Sequence, residues 1–166
     1  MAKNLMRIYN TQLEYDNELC YIPSDTLSIV IENNKVNYGV NVHEGSGYFV
    51  KLDGEKIDIG MEIIPSNYEN GSIITDVEIG CGINEIGVNA FSDCTFLETI
   101  TILSNIDTIK HYAFRNCYGL KTIKYYGTKE PICGSMTFYN SNVNEVQVTK
   151  DYPSSTFCDI LVDKVL

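Results

Sequence analysis

The second half of the chain repeats itself every 23 residues. Segments 79–100 and 102–123 superimpose with apolar residues at the same phases, and the spacing continues on both sides. Four apolar columns result: Val77, Ile100, Ile123 and Val146; Ile79, Ile102, Tyr125 and Val148; Ile86, Ile109 and Ile132; and Leu97, Leu120 and Val143. A fixed period of this length indicates a solenoid, in which each repeat forms one turn and equivalent side chains stack in a shared core.

The first two columns also predict strands. Apolar residues such as Val77 and Ile79 alternate with polar neighbours, which is typical of a strand with one face in the core. Parallel strands need a crossover between them, and the remainder of each turn supplies it. We therefore expect four short parallel strands, one in each turn.

The repeat also carries a family resemblance. The string Ile-x-x-Ile-x-x-x-Ala-Phe-x-x-Cys-x-x-Leu-x-x-Ile occurs at 83–100 and again at 106–123. It resembles the BspA-like, or treponemal-type, leucine-rich repeat. The resemblance implies a right-handed solenoid with a parallel sheet on one face and short 3-10 or helical turns elsewhere. Members of that family are mostly surface or adhesion proteins of bacteria and parasitic protozoa.

The third repeat departs from the pattern. Its aromatic residue is Phe138 instead of the expected position 137, and Asn140 stands where the cysteine column would continue. We therefore expect an irregular last turn.

The rest of the chain lacks the period and predicts other β-structure. Segments 27–31 and 36–42 flank a turn-prone stretch, and segments 48–52 and 55–59 flank Asp53-Gly54, so each pair predicts a hairpin. The predicted fold is therefore mainly β, with a small β-rich N-terminal domain before the solenoid. Three regions follow: the N-terminal domain and cap over 1–73, the solenoid over 74–148 and a C-terminal cap over 149–166.

Both ends of the solenoid need covering. Segment 57–64 alternates strongly enough to supply a covering strand at the first end. Beyond Val148, the apolar residues of the tail are too numerous to remain in water, and we expect the tail to fold over the other end.

Composition excludes several classes of function. The formal charge is -10, and such a surface repels phosphate backbones and anionic lipid heads, which argues against nucleic-acid binding. No apolar run is long enough for a spanning helix, and no export signal is visible, so membrane insertion is not expected. The predicted location is cytoplasmic or virion-associated, unless the chain is exported by another route.

The six cysteines include no Cys-x-x-Cys pair, and free buried thiols are favoured over disulfides or a metal. Cys94 and Cys117 share one phase in adjacent turns, close enough for a disulfide, but the phase is a packing position and favours buried thiols. His43 and His111 lack a convergent partner and are interpreted as solvated. The sequence predicts no catalytic residues, no metal site and no cofactor.

The outward face of the parallel sheet is the candidate binding surface. By alternation, its members are Asp76, Glu78, Thr99, Thr101, Leu103, Thr122, Lys124, Tyr126, Glu145 and Gln147. Leu103 and Tyr126 are adjacent in one column and are candidate contact anchors.

The leading hypothesis is a non-enzymatic interaction or adhesion module that binds a protein or glycan. One alternative is a structural subunit of a larger assembly, such as a phage virion, which attaches or oligomerises through the N-terminal domain. A second alternative is an enzyme, but the sequence contains no group of catalytic residues that would support it.

Overall fold

The computed structural model describes residues 6–9, 27–30, 35–38, 49–59 and 61–166. Contacts divide the chain into two units, Met1–Gly47 and Tyr48–Leu166. The described residues contain strands and turns but no helix. The protein is therefore mainly β, as predicted.

The first unit contains a sheet of three strands: β1 (Met6–Tyr9), β2 (Leu27–Val30) and β3 (Lys35–Tyr38). Strand β1 pairs with β2 in parallel, and β2 pairs with β3 antiparallel. The β2–β3 pair confirms the first predicted hairpin.

The second unit is a solenoid built on a sheet of seven strands. Four parallel strands occur at the predicted positions, with Val77 in register with Ile100, Ile123 and Val146. The strands are β4 (Phe49–Leu52), β5 (Glu55–Asp58), β7 (Asp76–Ile79), β9 (Thr99–Ile102), β11 (Thr122–Tyr125), β13 (Glu145–Val148) and β16 (Lys164–Val165), in the spatial order β16-β13-β11-β9-β7-β4-β5. The predicted parallel-stranded solenoid is thus confirmed.

An antiparallel hairpin covers the first end of this sheet. Strands β4 and β5 confirm the second predicted hairpin, and β4 lies antiparallel to β7. The strand that covers this end of the seven-stranded sheet is therefore Phe49–Leu52, upstream of the predicted segment 57–64, whereas Ile63–Ile64 of that segment pairs with Glu85–Ile86 on another side of the solenoid. The turn at Asp53 and Gly54 joins β4 to β5, and Val50 and Leu52 of β4 belong to the core. The division at residue 73 stays a prediction, but β4 and β5 already belong to the solenoid sheet.

A second parallel sheet, not predicted from the sequence, lines another side of the solenoid. Its two-residue strands are β6 (Ile63–Ile64), β8 (Glu85–Ile86), β10 (Thr108–Ile109) and β12 (Ile132–Cys133). Spacing between turns varies in this sheet, because Ile86 pairs with Ile64 on one side and with Ile109 on the other, while Ile109 pairs with Cys133.

This variable spacing corrects one predicted column. Ile132 was expected inside but is 73% exposed, and Cys133 takes the register position of Ile109. The segment between β11 and β12 contains one extra residue relative to the preceding turn. Because side chains alternate between faces, a one-residue shift exchanges the inner and outer positions.

Stacked aromatic rings run along the core. Phe114 lies between Phe91 and Phe138, with ring centroids 5.3 Å apart on each side and nearly parallel planes. Tyr68 packs edge-on against Phe91 at the first end, with centroids 6.0 Å apart. Phe138 therefore continues the aromatic column, although it comes one residue later than the 23-residue pattern expects.

The segments between the two sheets contain isolated turns with the i to i−3 hydrogen bonds of a 3-10 turn, as expected, but the described residues form no 3-10 helix or α-helix there. The N–H of Ala90 donates to the carbonyl of Gly87, and the N–H of Ser92 donates to that of Asn89. Residues with positive φ, including Asn89 and Asp93, interrupt each segment. A left-handed residue cannot continue a right-handed helix, so the segment stays a series of turns.

The tail covers the other end of the solenoid, as expected. Strands β14 (Thr156–Phe157) and β15 (Ile160–Leu161) form a hairpin, and β16 pairs in parallel with β13. Tyr152 and Phe157 are buried against Tyr125. The expectation that the whole apolar tail is covered was wrong for three residues at the outer end of the stack: Leu161 (70% exposed), Val165 (66%) and Leu166 (43%).

Candidate interaction surface

The outward face of the seven-stranded sheet carries two rows of aligned side chains. Backbone register brings the predicted surface positions into these rows: Asp76, Thr99, Thr122 and Glu145 in one, and Glu78, Thr101, Lys124 and Gln147 in the other. Their neighbours Val77, Ile100 and Ile123 are buried, so the predicted alternation of faces is confirmed. Strand β4 extends the second row, because Lys51 pairs with Glu78 across the strands, Nζ to Oε1 2.7 Å.

A polar groove of about 380 Å³ lies over this face, between the two rows. It is lined by Lys51, Gly54, Asp76, Val77, Glu78, Thr99, Thr101 and Lys124. Within the part of the chain that the structure describes, the side chains of Thr99, Thr101 and Lys124 make no hydrogen bond or ion pair. The groove thus presents two hydroxyl groups and one ammonium group whose bonding capacity the described residues do not use.

Leu103 and Tyr126 differ from the remainder of the predicted surface. Both were expected to be exposed contact anchors, but both are half-buried and both already take part in interactions within the chain. They lie at the border of the aligned rows and are not fully exposed.

Cys94 and Cys117 are buried free thiols, as predicted. Each thiol donates to a carbonyl of the preceding turn: Cys94 to Glu69 at 2.9 Å and Cys117 to Phe91 at 3.1 Å. Burial raises the pKa of Cys94 to about 11 and raises the pKa of Cys117 further. A neutral buried thiol is a poor nucleophile, so this column is structural.

The thiol column continues into the third turn through Ser141, not through the expected Asn140. The Ser141 hydroxyl donates to the carbonyl of Phe114 at 2.6 Å, as the thiols do one and two turns earlier. The extra residue that displaces Ile132 also accounts for this shift by one position.

Two other cysteines correct the expectation that all thiols are free. Cys133 and Cys158 form a disulfide with Cα atoms 5.4 Å apart, and it joins the last strand of the second sheet to the C-terminal hairpin. Cys81 is disulfide-bonded as well. The extra residue turns Cys133 toward the core, where it can form a disulfide with the cap. An ideal 23-residue register would place Ile132 there, so the sequence pattern did not indicate this disulfide.

His111 has a partner that the sequence did not indicate. Its Nδ1 accepts from the backbone N–H of Ser135 and lies 2.9 Å from the Ser135 hydroxyl. The pair is exposed and links two adjacent turns. His43, interpreted as solvated, lies outside the described residues. Among the residues with described positions, no three His, Cys, Asp or Glu side chains lie together as metal ligands would.

A second surface feature went unnoticed in the sequence. Ile73 and Phe96 are 23 residues apart, are 79% and 61% exposed, and line an apolar pocket of about 350 Å³ with Thr75. Their common offset was the available signal, but both fall outside the four core columns.

No helix in the described ranges is long and apolar enough to cross a membrane.

Comparison with known proteins gives one match. The family model of the BspA-type leucine-rich repeat region matches six copies over residues 45–159. No curated protein and no solved structure matches the chain. Leucine-rich repeats of this type are associated with protein interaction. The match covers well over half of the sequence and agrees with the stacked turns, so the chain belongs to the BspA-type leucine-rich repeat family.

Proposed function

We propose that this chain is a non-enzymatic interaction module that binds a partner protein on the outward face of the seven-stranded sheet. The observation that carries the proposal is the groove over Thr99, Thr101 and Lys124, whose side-chain donors have no partner in the described parts of the chain. An extended sheet face with unused polar groups suits recognition of another surface.

The charges of the face favour a partner with carboxylate groups at its contact. Lys51 is neutralised by Glu78, whereas Lys124 has no ion pair among the described residues, although the whole chain carries a net charge of -10. A carboxylate next to Lys124 would receive a charge-assisted hydrogen bond, and the threonine hydroxyls could donate beside it. Lys124 and Thr101 are therefore the central contacts, and Leu103 and Tyr126 contribute at the border.

A non-enzymatic role is supported by the family and by the chemistry of the described site. The groove offers hydroxyl, ammonium and carboxylate groups, but no histidine or thiol lines it. Among the described residues, no base lies within hydrogen-bond distance of the Thr99 and Thr101 hydroxyls to activate them as nucleophiles.

Photo-crosslinking from the sheet face tests the proposal. p-Benzoylphenylalanine replaces Thr101 in the full chain, and a matched variant carries it at Thr108, which lies on the second sheet. Both variants are expressed and irradiated in the cells of origin. We expect a protein adduct from position 101 and none from position 108.

The crosslinked partner is then purified and its affinity measured by calorimetry. Lys124→Glu should weaken binding about tenfold by placing like charges together, whereas Lys110→Glu, directly after β10 of the other sheet, should leave it unchanged. Equal crosslinking from both positions, a glycan adduct instead of a protein, or unchanged affinity of Lys124→Glu would contradict the proposal.

A further inference from the structure

The apolar pocket at Ile73 and Phe96 lies at one end of the proposed binding face. Both side chains are large and mostly exposed, and they line the pocket with Thr75, one residue before the first position of the sheet face. Exposed apolar groups that adjoin each other often mark a contact site. Asp76 lines the polar groove, so the adjacent residues Thr75 and Asp76 connect the pocket with the groove.

Two carboxylates compete for one hydroxyl proton at the wall of this pocket. Thr75 Oγ1 lies 2.9 Å from Asp53 Oδ1 and 2.9 Å from Asp76 Oδ2. A hydroxyl donates only one proton, so it can satisfy only one of the two acceptors at a time. Neither carboxylate has an ion pair within the described ranges of the chain.

The two carboxylates are not equivalent. Asp53 Oδ1 also accepts the backbone N–H groups of Thr75 at 2.7 Å and Asp76 at 2.9 Å, which fix it at the start of β7. These bonds hold the pKa of Asp53 below its ordinary value, so the group is ionised at neutral pH. Among the described residues, the Asp76 carboxylate has only the shared hydroxyl as a side-chain partner, and it is exposed, so it is the carboxylate available to an outside donor.

We propose that this pocket binds a segment of the partner protein in which an apolar side chain stands beside an arginine or lysine. The apolar side chain occupies the space between Ile73 and Phe96, and the base donates to Asp76 Oδ2. This arrangement supplies the missing proton donor and covers the exposed apolar area in one contact. The inference rests on the proposed function, since it names one contact of the same partner.

Nuclear magnetic resonance titration of the full chain tests the pocket without knowledge of the partner. The probe is acetyl-Gly-Leu-Arg-Gly-amide, and the control peptides replace either the leucine by glycine or the arginine by glutamate. We expect shifts of the backbone amides at 73–76 and 96 with the probe, at a dissociation constant of about 1–10 mM, and weaker or absent shifts with either control.

Variants assign the contacts. Asp76→Asn should weaken probe binding about threefold or more, and Phe96→Ser should abolish the saturable shifts. Tyr118→Ser is the matched control, because Tyr118 is an exposed aromatic residue of the following turn and should leave binding unchanged. All three changes lie at exposed positions, so the folded state is retained and the amide spectrum verifies this.

Absence of shifts at about 10 mM probe, or equal shifts with the glutamate peptide, would overturn the pocket proposal. The crosslink from Thr101 separates this failure from failure of the proposed function. Crosslinking from Thr101 without probe binding overturns the pocket alone, whereas probe binding without that crosslink overturns the sheet face as the main contact.

Discussion

Left-handed backbone recurs at two positions in each turn of the solenoid. One series has φ between 53° and 61°, and the other has φ between 57° and 74°. Their members are Asn67, Asn89, Tyr112 and Met136 in the first series, and Gly71, Asp93, Asn116 and Asn140 in the second. Glycine, asparagine and aspartate adopt this conformation at low cost, while other residues lose about 1–2 kcal/mol. Tyr112 and Met136 are therefore the two locally unfavourable residues of these series.

Met136→Asn should stabilise the protein. The side chain is 55% exposed, so little packing is lost, and asparagine already occupies two equivalent positions. The expected gain is about 0.5–1 kcal/mol in the free energy of unfolding, measured by urea denaturation. Met136→Leu is the control and should give no gain. If both variants have the same stability, backbone conformation does not limit this turn.

The buried thiols should resist alkylation in the folded protein. At pH 8, iodoacetamide should modify Cys94 and Cys117 only after unfolding, because burial keeps both thiols neutral. Peptide mass analysis before and after denaturation measures this. Labelling of the native protein at the rate of an unfolded thiol would contradict the assignment.

The same pKa shifts predict how stability depends on pH. A thiol whose pKa is raised by folding contributes stability at pH values below the pKa of the unfolded thiol, which is about 8.5. This contribution is lost as the pH rises from that value toward the folded pKa of Cys94, about 11. The free energy of unfolding should therefore fall over this range, and it should fall less in the double variant Cys94→Ala, Cys117→Ala.

At the scale of elements, the period predicts the phases of the repeat but not its exceptions. Four parallel strands and the buried column from Val77 to Val146 follow from alternation and the 23-residue offset. The second sheet was missed because strands of two residues are too short to show alternation. The exposed position of Ile132 was missed because one extra residue changes the register locally.

The antiparallel strand β4 lies outside what a repeat can predict. Its hairpin was visible from the turn at Asp53 and Gly54, but its pairing with β7 depends on contacts far apart in the sequence. The sheet face of the candidate site was predicted because it follows from the strands. The apolar pocket was missed because Ile73 and Phe96 lie outside the strands, where the alternation of faces gives no information.

The stacked rings give the sharpest test at this scale. Phe114→Ala should lower the free energy of unfolding by about 3–5 kcal/mol, because Phe114 is fully buried and stacks on Phe91 and Phe138. Phe96→Ala is the matched control at an exposed position, and it should change stability by about 0.5 kcal/mol or less. Urea denaturation monitors both. Similar losses in the two variants would exclude a core role for the stacked rings.

At the scale of the whole molecule, solubility depends on how the two ends of the stack are covered. Strand β7 of the first regular turn pairs with β4, and β8 pairs with β6, so segments before residue 74 cover both sheets at that end. Removing them leaves two open strand edges and an exposed apolar end of the core, which favours association with other chains.

Fragment 74–166 should therefore be insoluble or self-associating, whereas fragment 48–166 should be monomeric. Both fragments carry Cys81→Ser, so that intermolecular disulfides at this position do not contribute. Light scattering and thermal melting measure the outcome. A monomeric 74–166 fragment that melts cooperatively near the temperature of 48–166 would show that the preceding strands are dispensable.

The disulfide between Cys133 and Cys158 ties the last turn of the stack to its cap. A solenoid whose turns contact only their neighbours opens from its ends, one turn after another. The bond closes a loop of 25 residues around the last turn and the hairpin, a constraint worth about 3.5 kcal/mol against the unlinked chain. The C-terminal turns cannot separate from their cap while the bond is intact. Cys81 in the first regular turn is disulfide-bonded as well, so both ends of the stack are cross-linked, and reduction of the disulfides should allow the end turns, including those that carry Ile73 and Phe96, to open first.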